Sequence, residues 1–173
     1  MERAVSAPRT FYVSTQGNNQ NDGLSAAKPF KTIAALNLID FEPGDKIMLE
    51  GNATFEGHLQ LTAEDAGTLA KPVEISSYGT GKATIMNPET NAVTIWDVGG
   101  IVIKNRMLDG GTTYCTIQYC YARDNDGAGI LVWNYAQAPH RLGNNTLRYN
   151  ILENNARRND YGEILIGTGG TPS

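Results

Sequence analysis

The turn ARDNDG, Ala122 to Gly127, sets Arg123, Asp124, Asn125 and Asp126 side by side. Hard cations such as calcium take clustered carboxylate and carbonyl oxygens, so Asp124 and Asp126 are candidate metal ligands. Against the calcium-loop pattern, Asp124, Asp126 and Gly127 fit, whereas Ala122 and Trp133 fall on the first and last ligand positions. That motif fails, and a solvated Asx turn accounts for the same residues. Further on, ENNARRNDYGE, Glu153 to Glu163, aligns with the same turn. Arg157, Arg158 and Asp160 are therefore expected to stack beside Arg123, Asp124 and Asp126 as a candidate groove.

Six of the seven cations after residue 100 are arginines: 106, 123, 141, 148, 157 and 158. A planar guanidinium suits bidentate recognition of carboxylate or phosphate, which points to an acidic substrate, although solvated surface arginines explain the same pattern. Trp133, Tyr135 and Tyr161 could stack on the apolar faces of sugars, while Trp96 inside VTIWDV reads equally as a packed strand residue. His58 and His140 have no Ser, Cys or acidic neighbours at a telling spacing and read as turn or surface residues.

Those groups need a scaffold, and composition limits which one. The 173 residues suit one domain and are enough to bury a core without staples. With 19 Gly, many Asn and 18% charged residues, the chain favours many turns and an all-β fold. A net charge of -4 supplies no basic field for nucleic acid, and no apolar run approaches the ~20 residues of a membrane span. The acidity sits in residues 1–100, with 12 Asp/Glu against 7 Lys/Arg. MERAVSAP lacks the apolar core of a signal peptide, so either a leader has been removed or export does not occur. Cys115 and Cys120, an odd offset apart, are expected on opposite faces of one strand and unpaired. The triplets at Asn52 and Asn144 match the N-glycosylation pattern, a weak signal in an Asn-rich chain.

TFYVST alternates as a first strand, and SAAKPFKTIAALNLIDF predicts a short amphipathic helix ended by EPGD. After it come only short strand candidates: KIMLEG, HLQLT, PVEISSYG, ATIMN, AVTIWDV, GIVIKN, TIQYCYA, GILVWN, TLRYNIL and EILIG. Thr116, Tyr119 and Asn125 recur as Thr146, Tyr149 and Asn155, each thirty residues later, and GILV is echoed by EILI. Such repetition selects a solenoid, in which each coil reproduces its neighbour. Asn105, Cys120 and Asn150 are expected to share one turn position, Cys120 interrupting an Asn ladder, with NRMLDGGTTYC as a compressed coil.

The segment FYVSTQGNNQNDGLSAAKPFKTIAALNLIDFEPGDKIMLEGNATFEG resembles the opening of right-handed parallel β-helix proteins of the pectate-lyase-like superfamily. TIQYCYARDNDGAGILVWN and NNTLRYNILENNARRNDYGEILIG resemble their coils, so the likeness covers about residues 10–168. The resemblance implies an all-β right-handed parallel β-helix in a single domain, 1–173: an N-terminal strand and cap helix over 10–45, then coils over 46–168. Residues after the cap allow about five coils at ~20 or more residues each, which puts a complete substrate groove in question.

The resemblance further implies an exported bacterial protein, extracellular or at the cell surface, that binds acidic polysaccharide and cleaves it. Elimination needs a base and a cation that neutralises the uronate carboxylate. By resemblance Arg123, Arg157 or Arg158 takes the cationic role and Lys104 the base, with Asp160 and the aromatic residues on the substrate and calcium as the one cofactor. Hydrolysis would instead use two carboxylates, Asp124 or Asp126 against Glu153 or Asp160. The second class of reading is a non-catalytic solenoid: a carbohydrate-binding or surface-display module, or a shortened scaffold without the active coils. A final coil left uncapped predicts self-association through that end.

Overall fold

The computed structural model describes residues 7–86, 100–105, 113–134, 143–157 and 162–168. After β1 (Thr10–Val13) the chain winds through four coils of three short strands each. The first coil holds β2 (Lys46–Glu50), β3 (Thr54–Glu56) and β4 (Leu59–Leu61); the second holds β5 (Val73–Tyr78), β6 (Ala83–Met86) and β7 (Ile101–Asn105). The third is β8 (Cys115–Gln118), β9 (Cys120–Arg123) and β10 (Ile130–Asn134); the fourth is β11 (Thr146–Arg148), β12 (Ile151–Glu153) and β13 (Ile164–Thr168). Equivalent strands pair in parallel into three sheets, β1-β2-β5-β8-β11, β3-β6-β9-β12 and β4-β7-β10-β13. The protein is an all-β parallel solenoid of about four turns with almost no helix.

Register turns the repeat into a core. Ile47, Ile75, Ile117 and Leu147 lie opposite one another along the first sheet. Leu59, Ile101, Ile130 and Ile164 do the same along the third. The members in the first three coils are fully or almost fully buried. Branched side chains pack well on a pleated surface, and each one buried contributes about 1.5–3 kcal/mol.

TIQYCYA and TLRYNIL, expected as single strands, are each two. Tyr119 (φ 55°) and Tyr149 (φ 57°) take the left-handed conformation and turn the chain from the first sheet into the second. One left-handed residue resets the alternation, so Cys115, Ile117, Cys120 and Ala122 all face inward and are buried. The two cysteines thus share the core rather than opposite faces of one strand, and both are free thiols. The register expected for the asparagines changes likewise. Asn105 pairs with Asn134 in the third sheet, whereas Cys120 lies in the second, its N–H donating to Asn150 Oδ1 at 3.0 Å. A coil spans three sheets, and β8 before Cys120 is one side of it; most of NRMLDGGTTYC, residues 106–112, lies outside the described residues.

The cap is mainly aromatic. Phe30 forms a parallel bridge to Val13, its N–H donating to Tyr12 O at 2.9 Å, so the residues around it are extended and only Ile33–Leu36 (α1) remain helical. Phe11 contacts Phe30 and Phe41 at ring-centroid separations of 6.5 and 5.6 Å. Asn37 ties the helix to β4, receiving the Gln60 N–H and donating to His58 O. Asp45 in the EPGD turn is fully buried and accepts from Arg9 N, Nε and Nη2 and from Glu42 N.

Candidate functional site

The turns after β9 and β12 lie one coil apart at the same corner. Each opens with a residue at φ 54°, Asp124 and Asn154, types whose short polar side chains tolerate that conformation. Asn154 Nδ2 donates to Asp124 Oδ1 at 2.6 Å, and Asp124 N to Glu153 O at 3.2 Å. Arg123 Nε sits 3.2 Å from Asp124 Oδ2, with its guanidinium 5.9 Å from the Tyr121 ring centre. Arg157 reaches back to Asp126, Nε and Nη2 donating to Oδ1 at 3.1 and 2.8 Å. The corner therefore gathers Arg123, Asp124, Asp126 and Arg157, as the alignment of the two turns predicts.

Their pairing decides what they can do. Asp126 is 1% exposed and gripped by Arg157, so it positions the turn and presents no oxygen to a substrate outside. Asp124 keeps 24% of its side chain exposed, and Glu153, opposite Arg123 in the strand register, is exposed. The carboxylates that face solvent here are thus Asp124, just after β9, and Glu153, at the end of β12, on neighbouring coils about 4.8 Å apart. A calcium ion does not fit the donor set: both aspartates already hold a guanidinium, whose charge repels a divalent cation. Among the described residues, no group of three His, Cys, Asp or Glu side chains is arranged for a metal.

Trp133 and Lys104 stand opposite each other in β10 and β7, away from this corner. A side-chain carbon on Gly167 would collide with the Trp133 ring, which lies across the next coil and packs against Val102, Ala128 and Leu131. Trp133 is thereby a packing residue on the outer side of the third sheet. Arg158, Asp160, Tyr161 and Tyr135 lie outside the described residues, as do Trp96 and His140.

Burial pushes the thiols of Cys115 and Cys120 up to about 12, so at neutral pH neither supplies a thiolate nucleophile. What residue spacing alone did not reveal is the polar spine inside the corner. Asn155 Oδ1 accepts from Asn125 N and Nδ2, while Asn155 Nδ2 donates to Ala122 O and the Glu163 carboxylate. The thirty-residue match of Asn125 with Asn155 was the available signal, but its inward direction depends on the left-handed residue before each asparagine.

No family model matches the chain. Over 78 residues it is 35% identical to a lacto-N-biosidase of Bifidobacterium longum subsp. longum, a stretch covering 43% of this chain and 5% of that protein. Its fold is similar to crystal structures of the GH136 lacto-N-biosidase from Eubacterium ramulus. The selenomethionine derivative superimposes with a TM-score of 0.69 at 22% identity over 95% of this chain and 31% of that one. For the native protein the values are 0.55 and 21%, over 72% and 24%. The chain therefore spans less than a third of the length of the relatives it matches.

Proposed function

We propose that this chain is a carbohydrate-active β-solenoid segment that recognises a glycan along its outer surface and contributes to glycosidic bond hydrolysis. The observation that carries the reading is the 35% identity over 78 residues to a lacto-N-biosidase, on a chain with the same solenoid fold as another. Physically, a solenoid repeats an outward-facing strand at every coil, and an extended oligosaccharide can lie across several of them. The resemblance to pectate-lyase-like β-helix proteins belongs to the same reading, as does work outside the cell or at its surface, where such glycans occur.

Hydrolysis needs an acid and a base or nucleophile from two carboxylates on either side of the linkage. Asp124 and Glu153 are the pair we assign, being solvent-facing and on adjacent coils. Elimination on an acidic polysaccharide has less support at this corner, because Arg157 is engaged by Asp126 and Arg123 by Asp124. Each guanidinium is then partly neutralised by its aspartate before any uronate carboxylate reaches it.

The test is release of aryl alcohol from an aryl lacto-N-bioside, run beside uronic-acid polysaccharides followed by ultraviolet absorbance of the unsaturated product. Aryl release that falls about a hundredfold in Asp124→Asn and Glu153→Gln supports the reading. An absorbance rise on the polysaccharides would restore the lyase, and no product from either would leave a non-catalytic solenoid.

A further inference from the structure

The cap closes the sheet edges of the first coil unequally. In the first sheet β1 pairs along β2, and beside β4 of the third sheet Asn37 receives the Gln60 N–H and donates to His58 O. β3, the edge of the second sheet, has neither cover. Between it and the cap lies a cavity of about 190 Å³, lined by Thr15 and residues 31–33 on one side and by the three residues of β3 on the other. Both walls are internal elements of the chain. The cap wall is held in place by Asn19, whose Oδ1 accepts from Lys31 N and Thr32 N at 2.8 and 3.1 Å and whose Nδ2 donates to Thr32 Oγ1 at 2.9 Å.

The ladder between β3 and β6 fixes which backbone groups face that cavity. Thr84 N donates to Ala53 O and Gly57 N to Met86 O, each at 2.8 Å. Alternation then turns the N–H and C=O of Phe55 towards β6 and those of Thr54 and Glu56 towards the open edge. Among the described residues, no hydrogen bond takes up those four groups. Ile33 and Phe55, both buried, supply the apolar side of the cavity. Lys31 and Glu56 are exposed, and among the described residues neither has an ion-pair partner.

We infer that the β3 edge is a docking site for an extended peptide of another protein, added to the second sheet as a parallel strand with an apolar residue opposite Phe55 and a cation opposite Glu56. Donors and acceptors alternating along one edge are matched by the backbone of a strand. The central residue of the peptide donates its N–H to Thr54 O and accepts from Glu56 N, which turns its side chain inward between Ile33 and Phe55. A small branched side chain such as valine suits that space. The next residue faces outward beside Glu56, where the carboxylate favours Lys or Arg as its cross-strand neighbour. Because Asn19 already fixes the cap wall, binding orders the peptide and little else.

The probe is the tripeptide acetyl-Thr-Val-Lys-amide, whose acetyl C=O and terminal amide N–H complete the four bonds, titrated into the isotope-labelled whole chain and followed by NMR. The Thr54 and Glu56 amide protons are expected to move downfield and saturate. N-methylation of the valine, which leaves the protein untouched, should weaken binding about tenfold, and Glu56→Gln about threefold. Thr54→Pro removes an N–H that β6 does not use and should also weaken it, while the remaining resonances report an intact fold. No saturable shift at these two amides, or equal binding of the N-methylated peptide, would overturn the docking site. Shifts at these amides that follow protein concentration and ignore the peptide would give the edge to a second copy of the chain, and would overturn it too. Hydrolysis is read by product release from a glycoside, so failure here and failure of the hydrolase reading are told apart.

Discussion

Asn155 Oδ1 receives both the backbone N–H and the side-chain amide of Asn125, at 3.2 and 2.6 Å, across thirty residues of chain. The contact explains the repeat GI before the third-sheet strands. A side-chain carbon on Gly100 would lie 3.0 Å from Asn125 Nδ2, and one on Gly129 would lie 2.7 Å from Asn155 Nδ2. Glycine keeps that space open for the asparagine spine. In the fourth coil the equivalent residue is Glu163, whose carboxylate takes the Asn155 amide. The echo of GILV as EILI is thus the end of a hydrogen-bond ladder.

Asn155→Ala removes the acceptor for two Asn125 donors, and buried polar groups left unmatched cost about 1–3 kcal/mol each. We expect a loss of about 2–3 kcal/mol in urea unfolding, and about 1–3 kcal/mol for Gly129→Ala, where the added carbon must displace the amide. A change below about 0.5 kcal/mol in both would show that the spine is not stabilising.

Sequence periodicity located β1, β2, β4 to β7, β10 and β13, because each is a short alternating run between turn residues. It merged β8 with β9 and β11 with β12, since a tyrosine in the left-handed region looks locally like any strand residue. It passed over β3, three residues with Phe55 alone facing inward. It overran α1 because Phe30 and Leu38 fit a helical stripe, whereas Phe30 pairs with β1 and Leu38 is 87% exposed. At the corner between the second and third sheets, alignment of two turns was enough to bring Asp126 and Arg157 together. Residue types alone did not tell that Asp126 is buried in that pair while Asp124 faces out.

The N-terminal strand is anchored by Asp45, whose two oxygens accept from Arg9 three times. Asp45→Ala leaves Arg9 and the Glu42 N–H without these partners. Breaking a buried pair from one side costs about 3–5 kcal/mol, reduced here because the Arg9 side chain is 34% exposed. Loss of about 2–3 kcal/mol by thermal or urea unfolding is expected, with earlier proteolysis before residue 46. An unchanged midpoint would mean that the cap holds without this turn.

The cysteines give the alkaline side of the stability curve. Desolvation raises both thiols from 9.0 to about 12, so the folded protein retains protons that the unfolded chain releases. A raised folded value means the contribution is full below pH 9 and is lost as pH climbs from 9 towards 12. Burial also raises Tyr78, adding a loss of the same sign at higher pH. Unfolding free energy should therefore fall between pH 8 and 11 more steeply than in Cys115→Ala/Cys120→Ala, and native thiols should resist a disulfide reagent until the protein unfolds. Equal slopes for the two proteins would remove the thiols from the account.

The fourth coil continues the columns of the core. Ile164 and Ile166 continue the inward positions of Ile130 and Val132, yet they are 44% and 66% exposed where those are 1% and 3%. Among the described residues β11, β12 and β13 each pair on one side alone. Strand edges of this kind beside exposed isoleucines accept a further strand, from a following coil or, in this chain on its own, from a second copy. We expect sedimentation velocity to show concentration-dependent association, weakened in Ile166→Lys, where a charge would enter the stacked column, and unaffected by Leu38→Lys at the opposite end. A sedimentation coefficient independent of concentration in the wild type would count against association through this coil.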